Sequence, residues 1–391
     1  MILASALLVV LSACAPSHAV IIDPLVISVL GQNATFRQNS FTEFFNPTNT
    51  SPPFFQVFHP DFISVLGKFP SIRSIASNPS FAFAHEAPIW LPHSDEVTFA
   101  SNGGGALGRS GISKNNQVSM IDLKEVAKAI ENASAITPVN VSVAKLDLPE
   151  TVQMTNGGTG LFRSALLLVN SGRGPLPPSI TLSNPNPPYN TTVLLDNFFG
   201  RQFNSLNDIK IHPKSKKLFF TDVSYGYVNH FRPAPLMPNQ VYRFDPDTGV
   251  IRVVADGFEK PNGIAFSQCG STAYITDTGV ASQVIDQTKP ATIYAFDVHP
   301  KTQAFHNRRV FAYVDTGLAD GIQIDTQGNV YAGTGDGVHV WNNEGTLIGK
   351  FFLGTVSANM IFAGKGRLVI LAETEVFLAE IAAEGFNLSF S

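Results

Sequence analysis

The sequence predicts an all-β fold: a six-bladed β-propeller with an N-terminal extension and a small helical insertion. Three observations predict it. Helical periodicity is scarce over 391 residues. Short β-rich runs are punctuated throughout by Gly, Pro, Asn and Asp. One unit recurs six times: a polar Asn, Asp or Glu, a short apolar strand, a turn, then a second apolar strand. The units start at Glu86, Asn156, Asn207, Asn262, Asp320 and Asn359. Their mean spacing of about 55 residues is slightly above the usual ~40–50-residue blade. Four strands of about five or six residues with their turns fill that interval. A β-sandwich with long loops would not repeat the same unit six times.

The N-terminus comes first in chain order. Met1 to Leu11 is almost wholly apolar, and small and polar residues follow, ending Ser17-His18-Ala19. The run is shorter than the ~20 residues a membrane-spanning helix needs. It has the length of a signal-peptide core, with small residues fitting cleavage after Ala19. Residues 1–19 are therefore expected to be a signal peptide and the protein to be secreted. Leu11-Ser12-Ala13-Cys14 also looks like a lipobox, which would put lipid on Cys14. Six sequons favour the eukaryotic glycoprotein instead, with acceptors at Asn33, Asn49, Asn132, Asn140, Asn190 and Asn387. No later segment reaches ~18 apolar residues, so no transmembrane helix is expected.

Residues 20–70 form an extension with an internal echo, Ile27-Ser-Val-Leu-Gly31 and Ile63-Ser-Val-Leu-Gly67. A propeller closes best when a strand from one terminus completes the blade at the other, removing an open edge. One of the two runs is the expected closing strand of the last blade. Residues 71–391 are the propeller. Its long first interval holds a short amphipathic helix, Asp122 to Ser134, starting at an Asp cap.

Composition excludes several classes. The chain carries 26 Lys and Arg against 30 Asp and Glu, a formal charge of −4, without the basic face of a nucleic-acid binder. Two cysteines, Cys14 and Cys269, rule out a disulfide framework and a Cys-rich zinc module. If Cys14 leaves with the signal, the mature chain has no internal disulfide and must draw its stability from a large closed core. No G-x-S-x-G elbow, H-E-x-x-H helix, P-loop or dinucleotide fingerprint occurs.

Glu86, Asn207, Asn262 and Asp320 share one phase of the repeat, each just before an innermost strand. The innermost strands of a propeller line its axis. The four residues would therefore converge at one face as an all-oxygen ring of charge −2. Such a ring suits a hard divalent cation, Ca²⁺ first, with waters or substrate at the remaining ~2–4 positions. Zinc is disfavoured because no Cys or His shares the phase. Singly, Asn262-Gly263 and Asp320-Gly321 are turn dipeptides, and it is their common register that points to a site. His85 neighbours Glu86, but strand alternation predicts that it faces away. Asn156 and Asn359 start the two remaining units, where a substrate contact and a turn role are both open.

The motifs resemble a known family. Lys260-Pro-Asn262-Gly263-Ile-Ala-Phe266 with Ala273-Tyr-Ile-Thr-Asp277, His85-Glu86-Ala-Pro-Ile-Trp90, Asn207-Asp208 and Ala319-Asp320-Gly321-Ile322 are similar to the gluconolactonase / senescence marker protein / luciferin-regenerating enzyme family. The chain most resembles that family's secreted fungal lactonohydrolases, over about residues 70–391. The resemblance implies a six-bladed propeller, an axial divalent metal on Glu86, Asn207, Asn262 and Asp320, and hydrolysis of sugar or aldonate lactones. Ala87 stands where the family usually has Gly. Ser205 stands where some animal members have an Arg for substrate, and Arg201 is near in sequence but out of register.

The expected chemistry is metal-dependent lactone hydrolysis. The cation polarises the carbonyl and Asp320 serves as base and then acid. His85, Asn156, Arg201 and Asn359 are the remaining candidates for substrate contact. The expected partner is a small lactone, with no nucleic acid and no membrane. Two alternatives are a non-catalytic binding propeller and a strictosidine-synthase-like enzyme, and neither needs the metal ring.

Overall fold

The computed structural model describes residues 18–134, 136–386 and 390. The described strands form six sheets, each an antiparallel meander of at least four strands. The innermost strands are Glu86–Leu91, Thr155–Phe162, Leu206–Ile211, Pro261–Phe266, Ile322–Ile324 and Asn359–Phe362, in blades one to six. Alternate side chains of each strand point to opposite sheet faces, so every blade buries both faces against its neighbours. Phenylalanine fills these seams. Phe219, Phe266 and Phe305 pack between blades three and four, with ring centroids 5.0–6.1 Å apart.

The ring closes with a strand from the N-terminal side. Ser71–Ser77 pairs antiparallel with Glu375–Glu380 as the outer strand of blade six. Neither Ile-Ser-Val-Leu-Gly run supplies it. Pro24–Ser28 is a helical turn whose Asp23 cap accepts from Leu25 N. Asp61–Leu66 is helical too, burying Phe62, Val65 and Leu66 at the i, i+3, i+4 spacing of one helix face, with Gly67 ending it at φ 76°. The β-branched content of ISVLG suggested strands. A Pro-initiated turn and a helical spacing of apolar residues overrode it.

The extension thickens blade five instead. Phe54–Val57 pairs with Leu347–Phe352, and Ala19–Ile21 adds a sixth, parallel strand. Of the expected signal, residues 1–17, including Cys14, lie outside the described residues. Farther along, Arg37 reaches Asp315 at 3.1 Å, and Gly317 N donates to Ser40 O at 2.8 Å. The extension thereby holds the loop that leads into Asp320. The helical insertion is Leu123–Ile130, with the Asp122 carboxylate accepting from Lys124 N and Glu125 N.

The inner strands share one irregularity. In blades one to four the ladder slips beside the polar residue, between Glu86 and Ile89, Thr155 and Gly157, Leu206 and Ile209, and Pro261 and Ile264. Each slip is a β-bulge, which re-aims the side chains at that point.

Candidate metal centre

Three clamps set the geometry of the site end. The Asp222 carboxylate accepts from Asn204 N and Ser205 N at 3.0 and 2.8 Å, fixing the approach to Asn207. Asp277 does the same for Asn262, accepting from Glu259 N and Lys260 N at 3.1 and 2.8 Å. The second clamp crosses between blades. Thr221 Oγ1 donates to Asn262 O at 2.8 Å, and Thr276 Oγ1 donates to Asp320 O at 3.0 Å. The third is the glycine after the Asn. A Cβ on Gly263 would lie 2.4 Å from Asp320 O, and one on Gly157 would lie 2.4 Å from Asn207 O. These dipeptides are therefore not turns. Glycine lets one blade approach the backbone of the next where the polar residues converge. Ala87, in the family's usual Gly position, adopts φ 55°, a left-handed conformation that disfavours a Cβ by roughly 1–2 kcal/mol.

Ligand atoms of His85, Glu86 and Asp320 lie within 4.8 Å of one another. Asn262 stands close enough to lower the Asp320 carboxyl. The Oδ1 atoms of both Asn207 and Asn262 are buried without a hydrogen-bond partner. A buried carbonyl left unpaired costs about 1–3 kcal/mol, so two at one site demand a partner. A cation beside two carboxylates meets that demand. The donors are hard oxygens, as Ca²⁺ prefers, and the residues present fit the ion.

The electrostatics agree. Burial pushes the Asp320 carboxyl up to about 6, with His85 opposing and Glu373 reinforcing the rise. Burial also raises Glu86 well above the usual carboxylate range, and Asp320 adds to it. Two buried acids this close resist ionising together unless a positive charge joins them.

His85 does not face away. It precedes the strand, so strand alternation does not bind it. Its Nδ1 meets Glu373 Oε1 at 2.6 Å, and Asn102 Nδ2 donates to Glu373 Oε2 at 3.1 Å. Burial works against a charged imidazole, but Glu373, with Asp320 and Glu86, together outweigh it and lift His85 to about 10. His85 is thus a cation pinned at the edge of the acidic pair.

The other candidates separate. Asn359 Nδ2 donates to Glu86 Oε2 at 2.7 Å, and its Oδ1 accepts from Met360 N at 2.8 Å. Asn156 Nδ2 donates to Asn207 O at 3.3 Å. Both brace the ring through a neighbouring blade. Arg201 is exposed, donates to Leu236 O at 2.6 Å, and does not join the cluster. Ser205 Oγ accepts from Gly226 N. The sequon residues Asn33, Asn49, Asn132, Asn140 and Asn190 are exposed, and Asn387 lies outside the described residues.

Sequence reasoning missed Glu373, Asn102, Tyr225 and Thr278. Glu373 sits in a tight turn of blade six with no motif to mark it. Tyr225 lies three residues after Asp222, and that position at the site end of the second strand was the available signal. Among the described residues no helix is long and apolar enough to cross a membrane.

Comparison with known proteins gives the chain its family. A lactonohydrolase of Aspergillus oryzae, oryL, is 29% identical over 320 residues, covering 78% of this chain and 68% of its own. A gluconolactonase structure from Xanthomonas campestris superposes with a TM-score of 0.65 at 24% identity, covering 83% of this chain and 93% of that one. A calcium-binding regucalcin from Agrobacterium tumefaciens superposes at 0.55 with 17% identity, covering 81% and 97%. Residues 125–373 match the SMP-30/Gluconolactonase/LRE-like region. With the six blades and the axial cluster in place, the chain belongs to the SMP-30/gluconolactonase/LRE-like family.

Proposed function

We propose that this chain is a lactonase that depends on a divalent cation, Ca²⁺ foremost, held by Glu86, Asn207, Asn262 and Asp320. The observation that carries the reading is the pair of buried, unpartnered Asn carbonyls beside two buried carboxylates. The fungal lactonohydrolase and the bacterial gluconolactonase support the reaction class, and the calcium-binding regucalcin supports the choice of cation. A bound cation supplies Lewis acidity at the lactone carbonyl and acidifies nearby water.

The chain's own residues divide the remaining work. Lactone hydrolysis adds water to the carbonyl carbon, breaks the ring C–O bond, and delivers a proton to the departing alkoxide. One Asp320 oxygen accepts the proton from water and returns it to the leaving oxygen. Its raised pKa suits both halves of that exchange. His85, held charged by Glu373, faces the same space and compensates negative charge there. Asn102, Tyr225 and Thr278 add polar groups around it, which supports hydroxyl-bearing, sugar-type lactones as substrates. The chain is further proposed to be secreted and glycosylated. The leading apolar segment and the exposure of the five described sequon residues support that reading.

The test is a pH-stat hydrolysis screen over a lactone panel, on chelated protein with and without added Ca²⁺. The expected result is cation-dependent turnover of at least one aldonolactone. Turnover that survives chelation unchanged overturns the metal, and no turnover of any lactone overturns the reaction.

A further inference from the structure

The axis of the propeller has a second end, opposite the metal centre. There the far ends of the six inner strands surround a cavity of about 210 Å³, lined from successive blades by Trp90, Thr159, Lys210, Phe266, Ile324 and Phe362. The chain after blade six completes the lining with Glu384 to Phe386, held by Thr326 N donating to Glu384 O at 2.8 Å. The walls are mostly apolar, yet one charge is buried in them. Lys210 is 3% exposed, and its Nζ lies 3.7 Å from Asp208 Oδ1, beyond hydrogen-bonding distance. Among the described residues Lys210 Nζ makes no hydrogen bond. Asp208 is engaged elsewhere, with Oδ1 accepting from Ile209 N at 2.7 Å and Oδ2 from Ile264 N at 3.0 Å. Gln323, on the same wall, spends its Nε2 on Met360 O at 3.0 Å. The ammonium therefore keeps its three donors for the cavity, and a buried ion short of acceptors draws one in.

We propose that this far cavity binds a compact organic monoanion, a carboxylate on a hydrocarbon body, with Lys210 as its counter-charge. One buried ammonium matches one negative charge, and a carboxylate offers two oxygens to its protons. Asp208 keeps its two backbone donors, so Lys210 bridges Asp208 and the ligand without leaving either carboxylate bare. The walls from Trp90, Phe266, Ile324 and Phe362 match a hydrocarbon body better than a sugar. The only other cation of the lining, Lys365, is exposed and lies 3.9 Å from Glu384, so no second buried charge awaits a dianion such as phosphate. An apolar cavity with a few placed polar groups is the usual form of a small-molecule site. This one is distinct from the metal centre: Lys210 lies three residues, roughly 10 Å of strand, beyond Asn207. It stands whether or not the other end holds a cation.

The experiment is calorimetric titration of full-length protein with sodium benzoate, and separately with benzyl alcohol and with sodium phosphate. Chelation beforehand keeps the carboxylate from binding a cation at the other end. Benzoate is expected to bind, with benzyl alcohol about tenfold weaker or more for want of the charge-assisted hydrogen bond, and phosphate weaker still for want of apolar contact. Tryptophan emission should change with benzoate, because Trp90 lines the cavity and Trp341, the only other tryptophan, does not. Lys210→Met keeps the stem and removes the charge, and should bring benzoate down to the affinity of benzyl alcohol. Ala265→Leu fills the cavity from its wall without touching Lys210, and should weaken benzoate at least tenfold. Lys210→Met strips Asp208 of its cation, and if that variant fails to fold, the three probes and Ala265→Leu decide. No benzoate binding by the original chain overturns the proposal. Benzyl alcohol binding as tightly as benzoate overturns the role of Lys210, and phosphate binding as tightly overturns the ligand class. Unchanged benzoate affinity in Ala265→Leu puts the probe elsewhere and overturns the site.

Discussion

Asn207 and Asn262 share residue type and repeat phase with Asn156 and Asn359, yet the two pairs end differently. In blades three and four the amide oxygen is buried and unpaired at the axis. In blades two and six the amide nitrogen is spent on a neighbour, Asn207 O in one case and Glu86 Oε2 in the other. Blade six shows why. Its inner strand pairs without a slip, Asn359 opposite Leu371 and Met360 opposite Ile370, so no bulge re-aims Asn359. In blades three and four the bulge falls on the Asn, as it does on Asn156 in blade two. Phase in a repeat brings residues to one face of a propeller. A bulge is common to Asn156, Asn207 and Asn262, so it separates Asn359 from the other three, while Asn156 is set apart by its amide, which is spent on Asn207 O.

The comparison breaks most sharply at Asp320, the one ring member proposed to move a proton. Asp320→Asn keeps an oxygen for the cation but cannot act as base, so kcat should fall by roughly 10²–10⁴. Lactone turnover with Ca²⁺ saturating is the measurement, and full activity would remove the acid–base role. Next come the two proposed amide ligands. Asn207→Ala and Asn262→Ala each delete an unpaired oxygen and should weaken Ca²⁺ by roughly 10–100-fold in titration. If either binds Ca²⁺ as the original chain does, ligands and braces are not distinct.

Asn359→Ala follows, at about tenfold in Ca²⁺ affinity, because Glu86 loses the donor that orients it. This brace also carries a pH signature. Asp320 titrates near 6 in the cation-free fold, above its unfolded value, and Glu86 is raised too. Ionising them therefore costs stability as pH climbs from the unfolded value towards 6, and cation binding relieves that cost. The melting-temperature gain from CaCl₂ should be larger at pH 7 than at pH 5. Asn359 lowers Glu86, so Asn359→Ala should shift the onset of that gain to higher pH. A gain independent of pH between 5 and 7 would argue against carboxylate ligation.

Much of this was legible in the sequence, because the repeat writes the inner strands and their leading polar residues at a fixed phase. Glu86, Asn207, Asn262 and Asp320 could be aligned without coordinates. The braces could not be told from the ligands, since Asn156 and Asn359 have the same phase and type, and the bulge that separates Asn359 from Asn207 leaves no composition signal. His85 was misdirected by strand alternation applied one residue before the strand begins. Glu373 and Asn102 reach it from other loops, at sequence separations of 288 and 17 that no spacing rule connects. The closing strand was missed for a related reason. Ile-Ser-Val-Leu-Gly satisfies β propensity, while Ser71–Ser77 looks unremarkable until it meets Glu375–Glu380.

The smallest effect belongs to Asn156, and it sharpens the distinction most. Its bond to Asn207 O is long, 3.3 Å, and goes to the backbone of a proposed ligand residue rather than to a proposed ligand atom. Asn207 is also held from its own blade, by Asp222 on the two amides at positions 204 and 205 and by Thr221 on the next residue's N–H. Losing one long hydrogen bond among these costs about 0.5 kcal/mol, or two- to threefold in Ca²⁺ affinity for Asn156→Ala. Asn156 was also a candidate substrate contact, and that role makes a different prediction. A brace changes Ca²⁺ affinity and leaves KM unchanged once Ca²⁺ is saturating. A substrate contact raises KM at saturating Ca²⁺ and leaves Ca²⁺ affinity alone. Measuring both constants on this one variant places blade two on one side of the comparison or the other.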